Sequence, residues 1–130
     1  MEPEQPDDRE SRVRAALGVA AGPLPRVERR WLRSYHNYLS TRLSLPFAAH
    51  YTGDLARVRQ SVPLVTVVAL VDPSEESEYE SDGLVCLAHD EKEHLRLSLV
   101  DIEVDADHPN FQLLDDYWYW FWNWRFDPSI

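Results

Sequence analysis

The chain has 130 residues, 44% of them apolar, which indicates one globular domain with a core of its own. Acidic side chains outnumber basic ones by 23 to 13, for a net charge of -10. This balance argues against nucleic acid and anionic membrane surfaces as partners, because phosphate groups attract basic proteins, and it suits a cation. A single cysteine, Cys86, excludes an internal disulfide, and the polar, acidic start does not resemble a signal peptide. We therefore expect a cytoplasmic protein.

The first 25 residues contain four prolines and two glycines, which interrupt any long element. Residues 12–21 can form a short helix, but the apolar side chains there are mostly alanine and bury little surface. We therefore predict a flexible N-terminal arm over residues 1–25 and a single acidic α+β domain over residues 26–126.

Two amphipathic helices are predicted within that domain. Apolar residues recur at steps of three and four over residues 27–43, and this helix is expected to end before Pro46. The same spacing recurs over residues 113–124, where most of the tryptophans lie. Asp107 or His108 is expected to cap this second helix.

The segment between the two helices has the period of strands. Residues 62–71 are rich in valine and predict a buried strand. Residues 84–88 and 95–99 alternate around a polar tip and predict a hairpin, after which residues 100–105 are expected to be extended. The predicted fold class is α+β, with a small, strongly bent antiparallel sheet of four or five strands, barrel-like and flanked by an N-terminal and a C-terminal helix.

The acidic residues are concentrated after the first helix. Residues 44–130 hold 17 acidic and 5 basic side chains, whereas residues 1–43 have a charge near +2. In an extended DIEVDAD run at 101–107, the acids lie on one face, where they repel each other unless water, arginine or a cation intervenes. Calcium accepts roughly six to eight oxygen ligands, so such a cluster suits it. The candidate ligands in this run are Asp101, Glu103, Asp105 and Asp107.

Four further acids are candidate ligands. Asp115 and Asp116 follow one to two helical turns later and could complete the shell. Asp72 and Asp82 lie in an acidic loop that could contribute to it or form a second site. The run is not an EF-hand, because Ala106 falls where that loop needs glycine. The alternative explanation is that these acids form a solvated face without a ligand.

Short motifs of the chain resemble a known family. LPFAA at 45–49, LSLVDIE at 97–103 and DDYWYW at 115–120 are similar to segments of the cyanobacterial calcium-binding proteins that are linked to heterocyst development. The resemblance spans roughly residues 27–124. It implies a compact acidic domain that binds calcium through carboxylates, without EF-hands and without enzymatic activity. The basic, proline-rich arm and the long acidic loop between the valine-rich strand and the hairpin depart from the family pattern.

The function predicted from these features is calcium binding, as a buffer or a sensor, without catalysis. The chain has no glycine-rich phosphate loop, and a zinc site at His89 and His94 would have only Cys86 nearby as a soft ligand. The alternative function is a protein-interaction module that uses an exposed aromatic patch, with Tyr119 and Trp122, on the C-terminal helix. The oligomeric state is left open.

Overall fold

The structure, a computed structural model, describes residues 6–52, 64–73 and 83–125. Within these ranges the chain forms three α-helices and five β-strands. They are α1 (Pro6–Leu17), α2 (Arg29–Ser40), β1 (Phe47–Tyr51), β2 (Leu64–Leu70), β3 (Val85–His89), β4 (His94–Ser98), β5 (Ile102–Glu103) and α3 (Phe111–Asn123). A 3-10 turn, Leu99–Asp101, leads into β5.

The strands form one antiparallel sheet in the order β4-β3-β2-β1-β5. The predicted α+β class, with a helix-flanked antiparallel sheet, is confirmed. The expected barrel-like closure is not present in the described part of the chain, because β4 and β5 lie at opposite edges of an open sheet. The predicted hairpin is confirmed as β3 and β4, in which His89 pairs with His94 beside the turn.

One face of the sheet carries the core. In β1, Phe47, Ala49 and Tyr51 are buried and the residues between them are exposed, which is the alternation expected of a half-buried strand. Aromatic rings of α2 and α3 complete this core, with the Tyr35 ring 5.4 Å from that of Trp120 and stacked on it. No helix in the described ranges is long and apolar enough to cross a membrane.

The N-terminal segment differs from the flexible arm predicted over residues 1–25. Residues Pro6–Leu17 form α1, and its Val13 and Leu17 side chains are 0% and 2% exposed, within the same core cluster as the sheet. Leu24, after the helix, is also buried there. The sequence of α1 has only a weak amphipathic pattern, because few of its residues enter the core and one of them is an alanine, Ala16. A small side chain permits close packing but adds little to the apolar spacing by which a helix is recognised.

The start of α3 also differs from the prediction. The N-cap is Asn110, not His108 or Asp107, and Asn110 is 1% exposed. Its Oδ1 accepts a hydrogen bond from the Ser44 N–H at 2.9 Å, and its Nδ2 donates to the Ser44 carbonyl at 3.0 Å. The His108 ring accepts from the Asn110 N–H at 2.9 Å. Asn110 therefore ties the start of α3 to the α2–β1 connection, a contact between residues 66 positions apart.

Candidate functional site

The acidic run 101–107 is not one extended strand. Asp101 ends the 3-10 turn, only Ile102 and Glu103 belong to β5, and the His108 N–H donates to the Asp105 carbonyl at 2.9 Å to close a turn. The prediction that Asp101, Glu103, Asp105 and Asp107 share one face of a strand is therefore wrong. The side chains of residues 103, 105 and 107 are exposed, whereas Asp101 is only partly exposed.

A groove between β5 and α3 brings together two of the predicted ligands. It encloses about 360 Å³, and Glu103 and Asp115 are among the residues that line it. Its other lining residues are apolar: Ile102, Val104, Phe111, Leu114 and Trp118. The sequence predicted that acids of the run and of the helix would approach each other, and these two line the same groove from different elements.

Arginines of α1 neutralise the two helix carboxylates. Arg9 Nη2 lies 2.6 Å from Asp115 Oδ2. Arg12 donates to both carboxylate oxygens of Asp116, from Nε at 2.7 Å and from Nη2 at 3.1 Å. The Asp116 side chain is only 6% exposed. The bidentate ion pair with Arg12 therefore provides hydrogen bonds to a carboxylate that has little contact with water.

The sequence indicates a basic patch, with Arg12 in it, that could dock an acidic partner or pair with the chain's own acids, but it identifies neither Arg9 nor the acidic partners of these arginines. The signal that could have found them is the charge of residues 1–43, which is positive in a strongly acidic chain. A basic segment beside an acidic domain is expected to pair with that domain's carboxylates. Arg12 and Asp116 are 104 residues apart, so no local sequence pattern can predict that they form a pair.

The loop candidates do not join the groove residues in the described structure. Asp72 is exposed and follows the last residues of β2, and Asp82 lies outside the described residues. Among the described residues, no group of three or more histidine, cysteine or acidic side chains could hold a metal ion. The oxygen donors suit calcium chemically, but the described residues do not form a complete coordination shell.

The buried titratable groups belong to the core. Burial raises the pKa of the Cys86 thiol to about 12, so the thiolate that would bind a metal is disfavoured. Burial also raises the pKa of Tyr117, whose hydroxyl oxygen accepts a hydrogen bond from the Leu84 N–H at 2.7 Å. Cys86 is therefore suited to packing and not to ligation.

The exposed aromatic surface of α3 differs from the predicted patch. The Tyr119 hydroxyl donates to Glu10 Oε1 at 3.3 Å, and Arg9 lies 5.0 Å from the centre of the Tyr119 ring, so α1 covers this tyrosine. Trp118 and Trp122 are 48% and 45% exposed. The exposed tryptophans of α3 are therefore Trp118, which was not part of the predicted patch, and Trp122, which was.

These features define a small acidic α+β domain with a mostly apolar groove, to which two acidic residues contribute, between its edge strand and its last helix. The sequence matches the CcbP family, described as calcium binding, over residues 27–121. The chain therefore belongs to this calcium-binding family, and the resemblance seen in its short motifs is confirmed.

Two solved structures share the fold. The crystal structure of Anabaena CcbP matches with a TM-score of 0.64 over 93% of this chain and 94% of that one, and the two sequences are 18% identical. A structure described as a calcium-binding protein in the calcium-binding form is 20% identical, with a TM-score of 0.61, over 88% of this chain and 90% of that one. A comparison with curated proteins gives no significant match.

Proposed function

We propose that the chain binds calcium at the groove between β5 and α3, with Glu103 and Asp115 as the first protein ligands. The observation that carries this proposal is the family match, whose range of residues 27–121 includes Glu103 and Asp115. The solved structure described as the calcium-binding form shares this fold and supports the same function.

Coordination would draw on the exposed acids next to the groove. Calcium takes roughly six to eight oxygens in a flexible shell and accepts water among them. Asp105 and Asp107 lie two and four residues after Glu103 and are exposed. Because the described residues do not form a shell as they stand, these side chains would have to move toward the groove, with water, to complete one. Calcium at Asp115 would compete with Arg9, whose guanidinium already neutralises that carboxylate at 2.6 Å.

Asp116 has a structural role in this proposal. Two of its oxygens already accept hydrogen bonds from Arg12, and its side chain is almost completely buried. An ion at this site would have to displace Arg12, whose side chain is 28% exposed, from an almost completely buried carboxylate, which is costly. Asp101, Asp72 and Asp82 stay candidate ligands, the last two for a second site in the acidic loop.

Calcium titration of the full chain by calorimetry in low salt tests the proposal. Binding is expected to raise the unfolding midpoint, and chelator should reverse the shift. At a free calcium concentration of about 100 times Kd, the gain is about 2.7 kcal/mol. No heat and no midpoint shift at millimolar calcium would contradict calcium binding.

Paired variants locate the site. Glu103→Gln combined with Asp105→Asn is expected to weaken calcium binding at least about tenfold, because two anionic ligands become neutral. The control removes the same charge at the exposed hairpin tip with Glu91→Gln and Glu93→Gln, which should retain affinity. If only Asp72→Asn with Asp82→Asn weakens binding, the ion sits in the acidic loop and the groove assignment is wrong.

The same titration distinguishes a sensor from a buffer. Trp118 lines the groove with the proposed ligands, so its emission should report an ion bound there. A sensor also changes its hydrodynamic radius or its far-UV spectrum with calcium, whereas a buffer changes only the local emission. The proposed function is binding without catalysis.

A further inference from the structure

The groove between β5 and α3 has an apolar floor that calcium binding does not use. Phe111, Leu114 and Trp118 are spaced by three and four residues along α3, which places them on one face of the helix. Ile102 and Val104 approach that face from the edge of the sheet. A cation needs oxygen ligands and gains nothing from this apolar surface, so the floor suits a ligand with apolar side chains.

Acidic groups and an exposed indole border the floor. Trp118 is 48% exposed, and Asp115 lies three residues before it on the same helix face. Glu103 is exposed on the β5 side of the groove. A tryptophan face attracts the guanidinium of arginine or the ammonium of lysine, and the exposed Glu103 carboxylate attracts the same groups, whereas the Asp115 carboxylate already pairs with Arg9. The border is therefore complementary to a positively charged ligand.

The geometry of β5 favours an extended ligand. This strand is at the edge of the sheet, and β1 is the partner that pairs with it in the described part of the chain. An edge strand presents backbone hydrogen-bonding groups to which an extended peptide can add. Side chains of an added strand would alternate between the groove and the solvent-facing side.

We propose that this groove docks a basic, extended segment of a partner protein, in which apolar residues alternate with arginine or lysine. The apolar side chains contact Leu114 and Phe111, and the basic ones contact Glu103 and the Trp118 ring. This proposal goes beyond calcium binding and does not depend on it, because no step in it requires an ion.

Fluorescence anisotropy of the full chain tests the proposal in the presence of a calcium chelator, so that a failure of calcium binding cannot affect the result. The probe is a fluorescein-labelled, capped ten-residue peptide that alternates arginine with leucine. Saturable one-to-one binding is expected. Trp118→Ala and Glu103→Gln are each expected to weaken it about tenfold, through the loss of cation–π contact, apolar contact and charge.

Controls separate docking in the groove from general attraction to an acidic protein. Glu91→Gln removes the same charge at the exposed hairpin tip and should leave the affinity unchanged. A peptide with glycine in place of leucine should bind at least about tenfold more weakly, because it cannot fill the apolar floor. Equal binding of both peptides, or affinities of Trp118→Ala and Glu103→Gln equal to that of the unaltered chain, would overturn the proposal.

Discussion

The ion pair between Arg12 and Asp116 matters for stability because it involves a carboxylate that is almost completely buried. Asp116 is 4% exposed as a residue, and its carboxylate accepts hydrogen bonds from two nitrogens of Arg12. Arg9 Nε adds a longer contact at 3.7 Å to the same carboxylate. A buried carboxylate that loses its partner retains the cost of desolvation, so removing the arginine costs more than the pair itself contributes.

Arg12→Ala is therefore expected to lower the free energy of unfolding by about 3 kcal/mol. Urea denaturation at neutral pH measures it. The double variant Arg12→Met with Asp116→Leu should recover most of the loss, because neither charge is then left buried. The control is Arg30→Ala, since Arg30 is 75% exposed and lies 3.9 Å from Glu28. If Arg12→Ala and Arg30→Ala have the same small effect, Asp116 is solvated without Arg12.

At the scale of elements, α1 is the helix whose packing departs most from expectation. Val13, Ala16 and Leu17 are buried in the core cluster, and Arg9 and Arg12 of the same helix contact acids of α3. A helix that is held by both apolar and charged contacts contributes to global stability. A flexible arm would contribute nothing.

Leu17→Ala is expected to destabilise the protein by about 3 kcal/mol, because it removes a side chain that is 2% exposed and leaves a cavity. Chemical denaturation measures the loss. Ala15→Ser in the same helix is the control, since Ala15 is exposed and its substitution should change stability by less than about 1 kcal/mol. If Leu17→Ala leaves the denaturation midpoint unchanged, α1 does not contribute to stability and behaves as a flexible arm.

The elements that could be predicted from the sequence are those with a strong local period. The helix predicted over residues 27–43 is present as Arg29–Ser40, and the strand over 62–71 is present as Leu64–Leu70, because apolar spacing determines which face packs. The 3-10 turn Leu99–Asp101 was not predicted, and it lies where the alternation of apolar residues changes phase, since Leu99 and Val100 are both apolar and both buried. The Leu99 N–H instead bonds the Leu84 carbonyl at 2.8 Å, a contact that only the folded sheet provides.

At the scale of the whole molecule, the charge of -10 correctly pointed to a cation, but it could not identify the ligands. Glu103 and Asp115 line one groove because the sheet places β5 beside α3, and that proximity depends on long-range packing. The arginine partners of Asp115 and Asp116 come from α1, near the other end of the chain. The sequence therefore predicts the chemistry of the ligand better than the position of its site.

The core as a whole holds several groups in their neutral forms, which makes stability sensitive to alkaline pH. Burial raises the pKa of Cys86 from its ordinary value of 9.0 to about 12. Burial also raises the pKa of Tyr35 and Tyr117 well above their ordinary value of 10.0. In each case the unfolded chain releases a proton at a pH where the folded chain still retains it. The stabilising contribution is present in full below the unfolded pKa and is lost as the pH rises toward the folded pKa.

The free energy of unfolding is therefore expected to fall by about 1.4 kcal/mol per pH unit once Cys86 ionises in the unfolded chain, above about pH 9. The slope should steepen above about pH 10, where Tyr35 and Tyr117 also release protons in the unfolded chain. Urea denaturation at half-unit steps from pH 7 to about 11, with a reducing agent present, measures both slopes.

Cys86→Ala isolates the contribution of the thiol. This variant is expected to be less stable at every pH because a fully buried side chain is truncated, but its stability should stay nearly constant between about pH 9 and 10. Above that range its slope should stay shallower than that of the unaltered chain by about 1.4 kcal/mol per pH unit, since it retains the buried tyrosines but lacks the thiol. Parallel curves for the two proteins from pH 7 to about 11 would mean that the thiol titrates alike in the folded and unfolded chains, which is incompatible with a core that excludes water from Cys86.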